Sequence, residues 1–343
     1  MRQVILLLIR GKNEKGKFTM LIQDVFSAYK DDLQQVERRI NDNVTSEIKL
    51  IPEVAHHLIG SGGKRFRPLL LLICARLCGY RGKSRFPMAT VMEFIHTATL
   101  LHDDVIDQAS IRRGKTSANQ IYGNAISILV GDFLCFKSYT LMTGIGSLDI
   151  LKLISEMGDT MSEGEVFQLS KCGDINLTEE EYFIIIEKKT AVLISASCAA
   201  GAILGSAPLE KIHALARFGS NAGMAFQITD DILDYMAKGE AFGKSIGKDL
   251  EEGKITLPLI FALKQSTEEE KNKIKEIINR KKGSQKAARE IMKLIKKYNG
   301  IDASLHCAAG YISEAKSQLS IFSDCPEKDH LNAVAEYILS RNI

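Results

Sequence analysis

Proline is scarce in this chain, and its spacing is the first clue to the fold. The six prolines stand at 52, 68, 87, 208, 258 and 326. About 120 residues therefore run between Pro87 and Pro208 without the residue that most strongly interrupts helices. Hairpin signals, strand-length alternating runs and a repeat of fixed period are missing too, which leaves an all-α fold. A large charge surplus is also absent: 45 Lys and Arg against 42 Asp and Glu leave +3. A nucleic-acid binder carries a dominating basic footprint, so that class is excluded. The seven cysteines are odd in number and form no C-x-x-C pair. They read as buried free thiols in a reducing cytosol rather than disulfides or zinc sites. No transmembrane helix is evident. The longest apolar run near the start covers residues 4–9, against about 20 for a span, and no signal-cleavage pattern follows it.

The composition, 45% hydrophobic and 25% charged, is that of an ordinary globular protein. Its 343 residues accommodate two average domains or one large helical unit. Residues 1–19, basic and Gly/Lys-rich over 10–17, read as an appendage: a disordered extension, or a stretch preceding a native start at Met20. The domain is then 20–343. Helices are expected over 33–40, 88–107, 211–235 and 268–297, the last a solvated outer helix with i,i+4 ion pairs. Loops are expected at 60–68, 79–87, 173–177, 205–208 and 239–258.

Three motifs carry chemistry. Asp103, Asp104 and Asp107 form a D-D-x-x-D box within an apolar helix. Asp103 and Asp107, four apart, share a face and repel unless a cation intervenes. Oxygen ligands without His or Cys favour Mg²⁺. Asp230, Asp231 and Asp234 repeat the spacing, with Gln227 one turn earlier. Six carboxylates around one cavity call for several divalent ions, and such a cluster without a nucleophile triad points to chemistry on a diphosphate. The third motif is Gly62-Gly63-Lys64-Arg65-Phe66-Arg67-Pro68. It is not a P-loop, since Arg65 follows Lys64 where Ser or Thr is required. Lys64 offers phosphate a point charge and Arg67 a fork. Arg112-Arg113, Lys188-Lys189-Thr190, Lys244 and Lys254 add polar and cationic groups. The pattern suggests two anion sites, one reached through metals and one through side-chain cations.

GGKRFRP, HTATLLHDDVID, RRGKTSAN, EKKTA, FQITDDILD and GKITLPLI occur in the order found in trans-isoprenyl diphosphate synthases. The resemblance covers roughly residues 25–340 and is nearest the bacterial long-chain polyprenyl type. It implies one all-helical domain of antiparallel helices around a deep central cavity, a homodimer, and a cytoplasmic enzyme with peripheral membrane contact for product release. The implied reaction condenses isopentenyl diphosphate with an allylic diphosphate, farnesyl or geranylgeranyl. It also implies about three Mg²⁺ per site: two on Asp103 and Asp107 with Asp104 in support, and a third led by Asp230 with Asp231 and Asp234. Arg112, Lys189, Lys244 and Lys254 would grip the allylic diphosphate. Lys64, Arg67, His96 and Arg113 would hold isopentenyl diphosphate. Lys189, Thr190 and Gln227 would stabilise a carbocation, while Phe226 reads as core or as an aromatic face toward it.

Ala98 and Thr99 lie one turn before Asp103, and their small size leaves a tunnel open. By family analogy the product is long, around C30–C50, octaprenyl within that range, and suited to quinone side chains. One departure stands out: Lys248 replaces part of the acidic pair usual after Gly247. The alternatives are a short-chain synthase, a terpene cyclase, or a noncatalytic subunit of a heteromeric synthase. The second acidic box disfavours a cyclase, and the intact boxes disfavour a noncatalytic subunit.

Overall fold

The computed structural model describes residues 20–236, 248–279 and 285–341. The expected extension at 1–19, Lys244 and the side chain of Lys248 lie outside the described residues. The chain opens with α1 Ile22–Ala28, α2 Lys30–Asn43, α3 Leu50–Ile59, α4 Phe66–Leu77 and α5 Arg85–Ile106. A hairpin of β1 Ile111–Arg112 and β2 Lys115–Thr116 follows, then α6 Ala118–Tyr122, α7 Asn124–Ile145, α8 Leu148–Ser170 and α9 Glu179–Ile186. A π turn at Glu187–Ala191 runs into α10 Val192–Leu204, with α11 Leu209–Met236 and α12 Lys248–Glu251 beyond. The remainder is α13 Leu257–Gln265, α14 Glu268–Asn279, α15 Gln285–Lys297, α16 Gly300–Ser317, a 3₁₀ turn and α17 Pro326–Ser340.

The all-α expectation holds, with two corrections. The hairpin pairs Ile111 with Thr116 and Arg112 with Lys115. Its turn residues Arg113 and Gly114 both have positive φ, at 52° and 78°, the combination a two-residue hairpin loop requires. The stretch 268–297 forms two helices instead of one. Its ion pairs accordingly join α14 to α15, Lys273 to Glu290 at 2.6 Å and Lys297 to Glu270 at 2.7 Å, instead of running only along a single face.

α4 and α10 are apolar nearly all round and become the centre. Pro68 through Ala75 are buried on α4, as are Leu193, Ile194 and Ala196 through Ala202 on α10. α10 packs against α4, α8 and α11. Two glycines then fix the π turn. A Cβ at Gly164 of α8 would come within 2.6 Å of the Lys188 Cβ, and one at Gly223 of α11 within 2.6 Å of the Ala191 Cα. Held between them, the wider turn re-aims Lys189 and Thr190 relative to a regular helix.

Among the described residues one helix, α7, is long and apolar enough to cross a membrane by length and composition. It packs along α5 and carries Asp132 and Lys137 in its middle. Its outward face exposes Ile128, Leu129, Phe136 and Tyr139. The cysteines are free: Cys74 and Cys198 are buried, while Cys172 is exposed.

Candidate active site

The end of α5 divides the first acidic box between two tasks. Asp104 is fully buried and accepts from Nε and Nη2 of Arg112, at 2.7 and 2.6 Å. This pair ties β1 to α5. Asp103 and Asp107 point elsewhere, toward lysines. Nζ of Lys189 lies 3.9 Å from Asp103 and 2.5 Å from Glu165 of α8. Nζ of Lys254 lies 2.9 Å from Asp107 and 2.6 Å from Glu252. Burial pushes the Asp103 carboxyl up to about 6, with Glu165 and Asp107 adding to the rise and Lys189 opposing it.

α11 presents the second box. Asp231 is buried and accepts from the Tyr182 hydroxyl at 2.6 Å and from Nε2 of Gln227 at 2.7 Å. Gln227 in turn accepts from the Thr190 hydroxyl at 2.9 Å. Burial raises Asp231 to about 7 although both hydrogen bonds act the other way. Asp234 accepts from the Asp249 N–H at 3.2 Å. Burial holds the Asp249 carboxyl well above the usual range, with Asp231 and Asp234 adding to it. Asp230 is the exposed member, 3.4 Å from Nη2 of Arg341. Lys189, Thr190, Gln227, Asp231, Asp249 and Lys254 bound one cavity of about 110 Å³. The lysines that hold Asp103 and Asp107 thus share a hollow with the second box.

The glycine-rich loop supplies a second, cation-rich region. Lys64 is exposed and touches Tyr337, 4.8 Å from its ring centre. Arg65, which sequence reasoning left without a role, stands at φ 46°. It pairs with Glu37 and Glu93 and donates to the Ile59 carbonyl. It ties the loop to α2, α3 and α5. Burial pulls the Arg67 guanidinium down to about 10, and its Nε has no acceptor among the described residues. Arg113 donates to the Gly62 carbonyl. His96 is held well below its ordinary value by burial and by the charges of Arg67, Arg113, Arg112 and Arg65, so it is neutral at pH 7.

The two regions differ in sign. Burial lowers Arg113, with Glu93 opposing and Arg65 and Arg112 adding to the fall. Burial also opposes the charge on Arg112 and Lys254, yet Asp104 raises the first and Asp107 with Glu252 raises the second. One side is short of cations, the other of anions.

Ala98 is fully buried in the core, and the Thr99 hydroxyl donates back to the His96 carbonyl at 2.8 Å. Neither lines the cavity around Lys189. Phe226 packs 5.7 Å from Phe66 on one contact and 3.6 Å from the Arg341 guanidinium on another.

A polyprenyl synthetase family profile matches residues 48–295. The chain belongs to the polyprenyl synthetase family. Octaprenyl diphosphate synthase of Escherichia coli is 37% identical over 311 residues, 91% of this chain and 96% of that one. All-trans-nonaprenyl-diphosphate synthase of Rhodobacter capsulatus is 34% identical, covering 91% of this chain and 94% of the other. A polyprenyl synthase of Caulobacter crescentus, solved with calcium and isoprenyl diphosphate, superposes with a TM-score of 0.90. It is 38% identical and covers 95% of this chain and 100% of its own.

The donor set of this polyprenyl synthetase fits hard divalent ions. Among the described residues no three acidic, histidine or cysteine side chains converge as a ready-made metal cage. Mg²⁺, however, is commonly held by one or two carboxylates, with water and phosphate oxygens completing its shell. Asp103 and Asp107 are such a pair, one turn apart on α5 and each beside a lysine, with burial raising the Asp103 carboxyl and Lys189 opposing the rise. Sequence reasoning missed Glu165, Tyr182 and Glu252, and Gln168, which also lines the cavity. Glu165 is one of five acids on α8, with Asp149, Glu156, Asp159 and Glu163, so nothing singled it out; Tyr182 and Glu252 gave no signal either.

Proposed function

We propose that this chain condenses isopentenyl diphosphate head-to-tail with an allylic diphosphate and repeats the step to make a long all-trans polyprenyl diphosphate. The observation that carries this reading is the shared hollow: Asp231 lines it with Lys189 and Lys254, which hold Asp103 and Asp107. Asp103 and Asp107 would hold two Mg²⁺ ions, with Asp104 supporting them through the last turn of α5. Asp230 would lead at a third, with Asp231 and Asp234 oriented toward it. Bound there, Mg²⁺ supplies charge neutralisation for the departing pyrophosphate.

The remaining work falls to side chains. Arg112, Lys189 and Lys254 bind the allylic diphosphate, joined by Lys244. Lys189 and Lys254 exchange carboxylate partners for phosphate oxygens. Lys64, Arg67, His96 and Arg113 receive isopentenyl diphosphate directly, and neutral His96 offers an N–H without adding charge to a cluster already short of anions. Thr190 and Gln227 are locked by hydrogen bonds, so their dipoles are fixed before any positive charge develops on carbon, which is where preorganisation helps most. Excluding water from so small a hollow protects that charge from capture.

The exposed apolar stripe on α7 supports pairing of two copies as a homodimer. The resemblance extends the proposal to a cytoplasmic enzyme that hands its insoluble product to a membrane surface, for quinone side chains. Incubation of the purified chain with labelled isopentenyl diphosphate, farnesyl diphosphate and Mg²⁺ tests the reaction. A ladder ending in a long polyprenyl product is expected. A single C15 or C20 product overturns the long-chain reading, and no incorporation overturns the reaction.

A further inference from the structure

Tyr182 belongs to no motif, yet it lines the same hollow as Thr190, Gln227 and Asp231. It closes the first turn of α9, whose start is set by a reciprocal cap. The Thr178 hydroxyl accepts from the Glu181 N–H at 3.2 Å, and the Glu181 carboxylate accepts from the Thr178 N–H at 3.0 Å. The Tyr182 ring is buried and packs edge-on against Phe183, with ring centres 5.6 Å apart. A buried tyrosine hydroxyl needs a partner, and this one donates to Oδ2 of Asp231 at 2.6 Å.

The bonds beyond Asp231 run in one direction. A carboxylate only accepts, so Gln227 turns its amide nitrogen toward Oδ1 and donates at 2.7 Å. Its carbonyl oxygen then faces Thr190, and the Thr190 hydroxyl donates to it at 2.9 Å. With that proton committed, Thr190 has only lone pairs to offer a further neighbour. The charge on Asp231 thus decides, two bonds away, which pole of the Thr190 hydroxyl is free. The relay also closes on itself. Tyr182 and Thr190 lie on one continuous helical stretch, α9 and the π turn, while Gln227 and Asp231 stand one turn apart on α11. Each Asp231 oxygen has one of the two side-chain donors, and Tyr182 is the donor that lies outside the path to Thr190.

We propose that Tyr182 is a positioning residue for the condensation, fixing the polarity of the Thr190 hydroxyl through Asp231 and Gln227. The phenol keeps the Asp231 carboxylate from rotating, so the Gln227 amide cannot flip. Thr190 then turns oxygen lone pairs, and not its proton, toward the hollow where positive charge develops on the allylic carbon. A dipole set before the charge appears needs no reorganisation during the reaction. Without the phenol, Asp231 is free to turn. A flipped amide would offer its N–H to Thr190 and send the hydroxyl proton toward a cation. This assignment rests on the reaction proposed above.

The test is the single-turnover rate of one condensation, with the full chain in excess over farnesyl diphosphate and with labelled isopentenyl diphosphate and Mg²⁺. It is run at about pH 8.5, where Asp231 is ionised. Y182F is expected to slow the step about tenfold. The isopentenyl diphosphate concentration that gives half the maximal rate should stay within about twofold. T190V should slow the step by at least as much. In Y182F/T190V the phenol has nothing left to orient, so the further loss should be under about twofold. Losses that multiply overturn the assignment, since a tyrosine that only supports the fold weakens both backgrounds alike. Y182F or T190V reacting at the parent's rate overturns it too. Thermal melts show whether each variant is folded. If Y182F is not, 4-aminophenylalanine at 182 keeps an N–H donor in place and carries the test: its smaller loss must likewise vanish on the T190V background. A parent chain that forms no product would overturn the proposed reaction instead.

Discussion

Lys189 sits 2.5 Å from Glu165 and 3.9 Å from Asp103, so its ammonium is shared unequally between a residue no motif includes and the first acidic box. Glu165 holds the lysine at the wall. E165Q should let Lys189 close on Asp103 and compete with both metal and allylic diphosphate. The expected result is a KM for the allylic substrate raised about three- to tenfold, with a smaller change for isopentenyl diphosphate. Steady-state kinetics with each substrate varied in turn checks it.

Gln227 links the Thr190 hydroxyl to the Asp231 carboxylate. Q227L removes both bonds and leaves Asp231 with Tyr182 as its remaining side-chain donor. A stability loss of about 1–3 kcal/mol is expected, together with a lower kcat. Urea unfolding monitored by circular dichroism measures the first, and single-turnover assay the second.

His96 gives a pH signature. Its folded pKa lies below the ordinary 6.5, so in acid the unfolded chain binds the proton and the folded chain does not. Stability is therefore intact above about 6.5 and falls as pH drops, by at most about 1.4 kcal/mol per unit from this group. H96Q should flatten that part of the profile between pH 5 and 7. An unchanged slope would show that other groups set it.

The metal reading has a test that needs no turnover. Mg²⁺ with inorganic pyrophosphate should raise the melting temperature, since a ligand at about 100 Kd adds about 2.7 kcal/mol. The double variant D103N/D107N should lose most of that rise. If the full rise persists, metal binds elsewhere.

Ala98 and Thr99 separate two ideas about product length. Ala98 is wholly buried, so A98F should cost about 1–3 kcal/mol through overpacking as well as shorten the product. Thr99 is half-buried, and T99F should shorten the product at a smaller cost. Chain-length analysis of products from both variants decides: unchanged lengths would remove this turn of α5 from the tunnel floor.

The helical fold was legible because long proline-free apolar stretches admit little else. The acidic boxes stood out because the same D-D-x-x-D spacing occurs twice within apolar helices. The details of placement did not. Nothing in Glu-Lys-Lys-Thr-Ala announces a π turn; that arises from Gly164 and Gly223, distant in sequence, pressing on it. The hairpin hid behind an Arg-Gly turn in place of the usual Asn-Gly. The division of labour between Asp104 and its neighbours, and between Arg65 and Arg67, depends on which partner each side chain meets. Arg341 lies outside every motif, and only tertiary contact reveals its position.

The hairpin sets two adjacent arginines to opposite accounts: Arg112, within the ladder, is anchored to Asp104, while Arg113, at the turn, reaches the Gly62 carbonyl. The ribbon behaves as a partition with a guanidinium on either side. On the proposed assignment, the register decides which diphosphate each arginine meets. Deleting one residue here would shift the register that pairs Arg112 with Lys115 and so part Arg112 from Asp104 and Arg113 from Gly62 together.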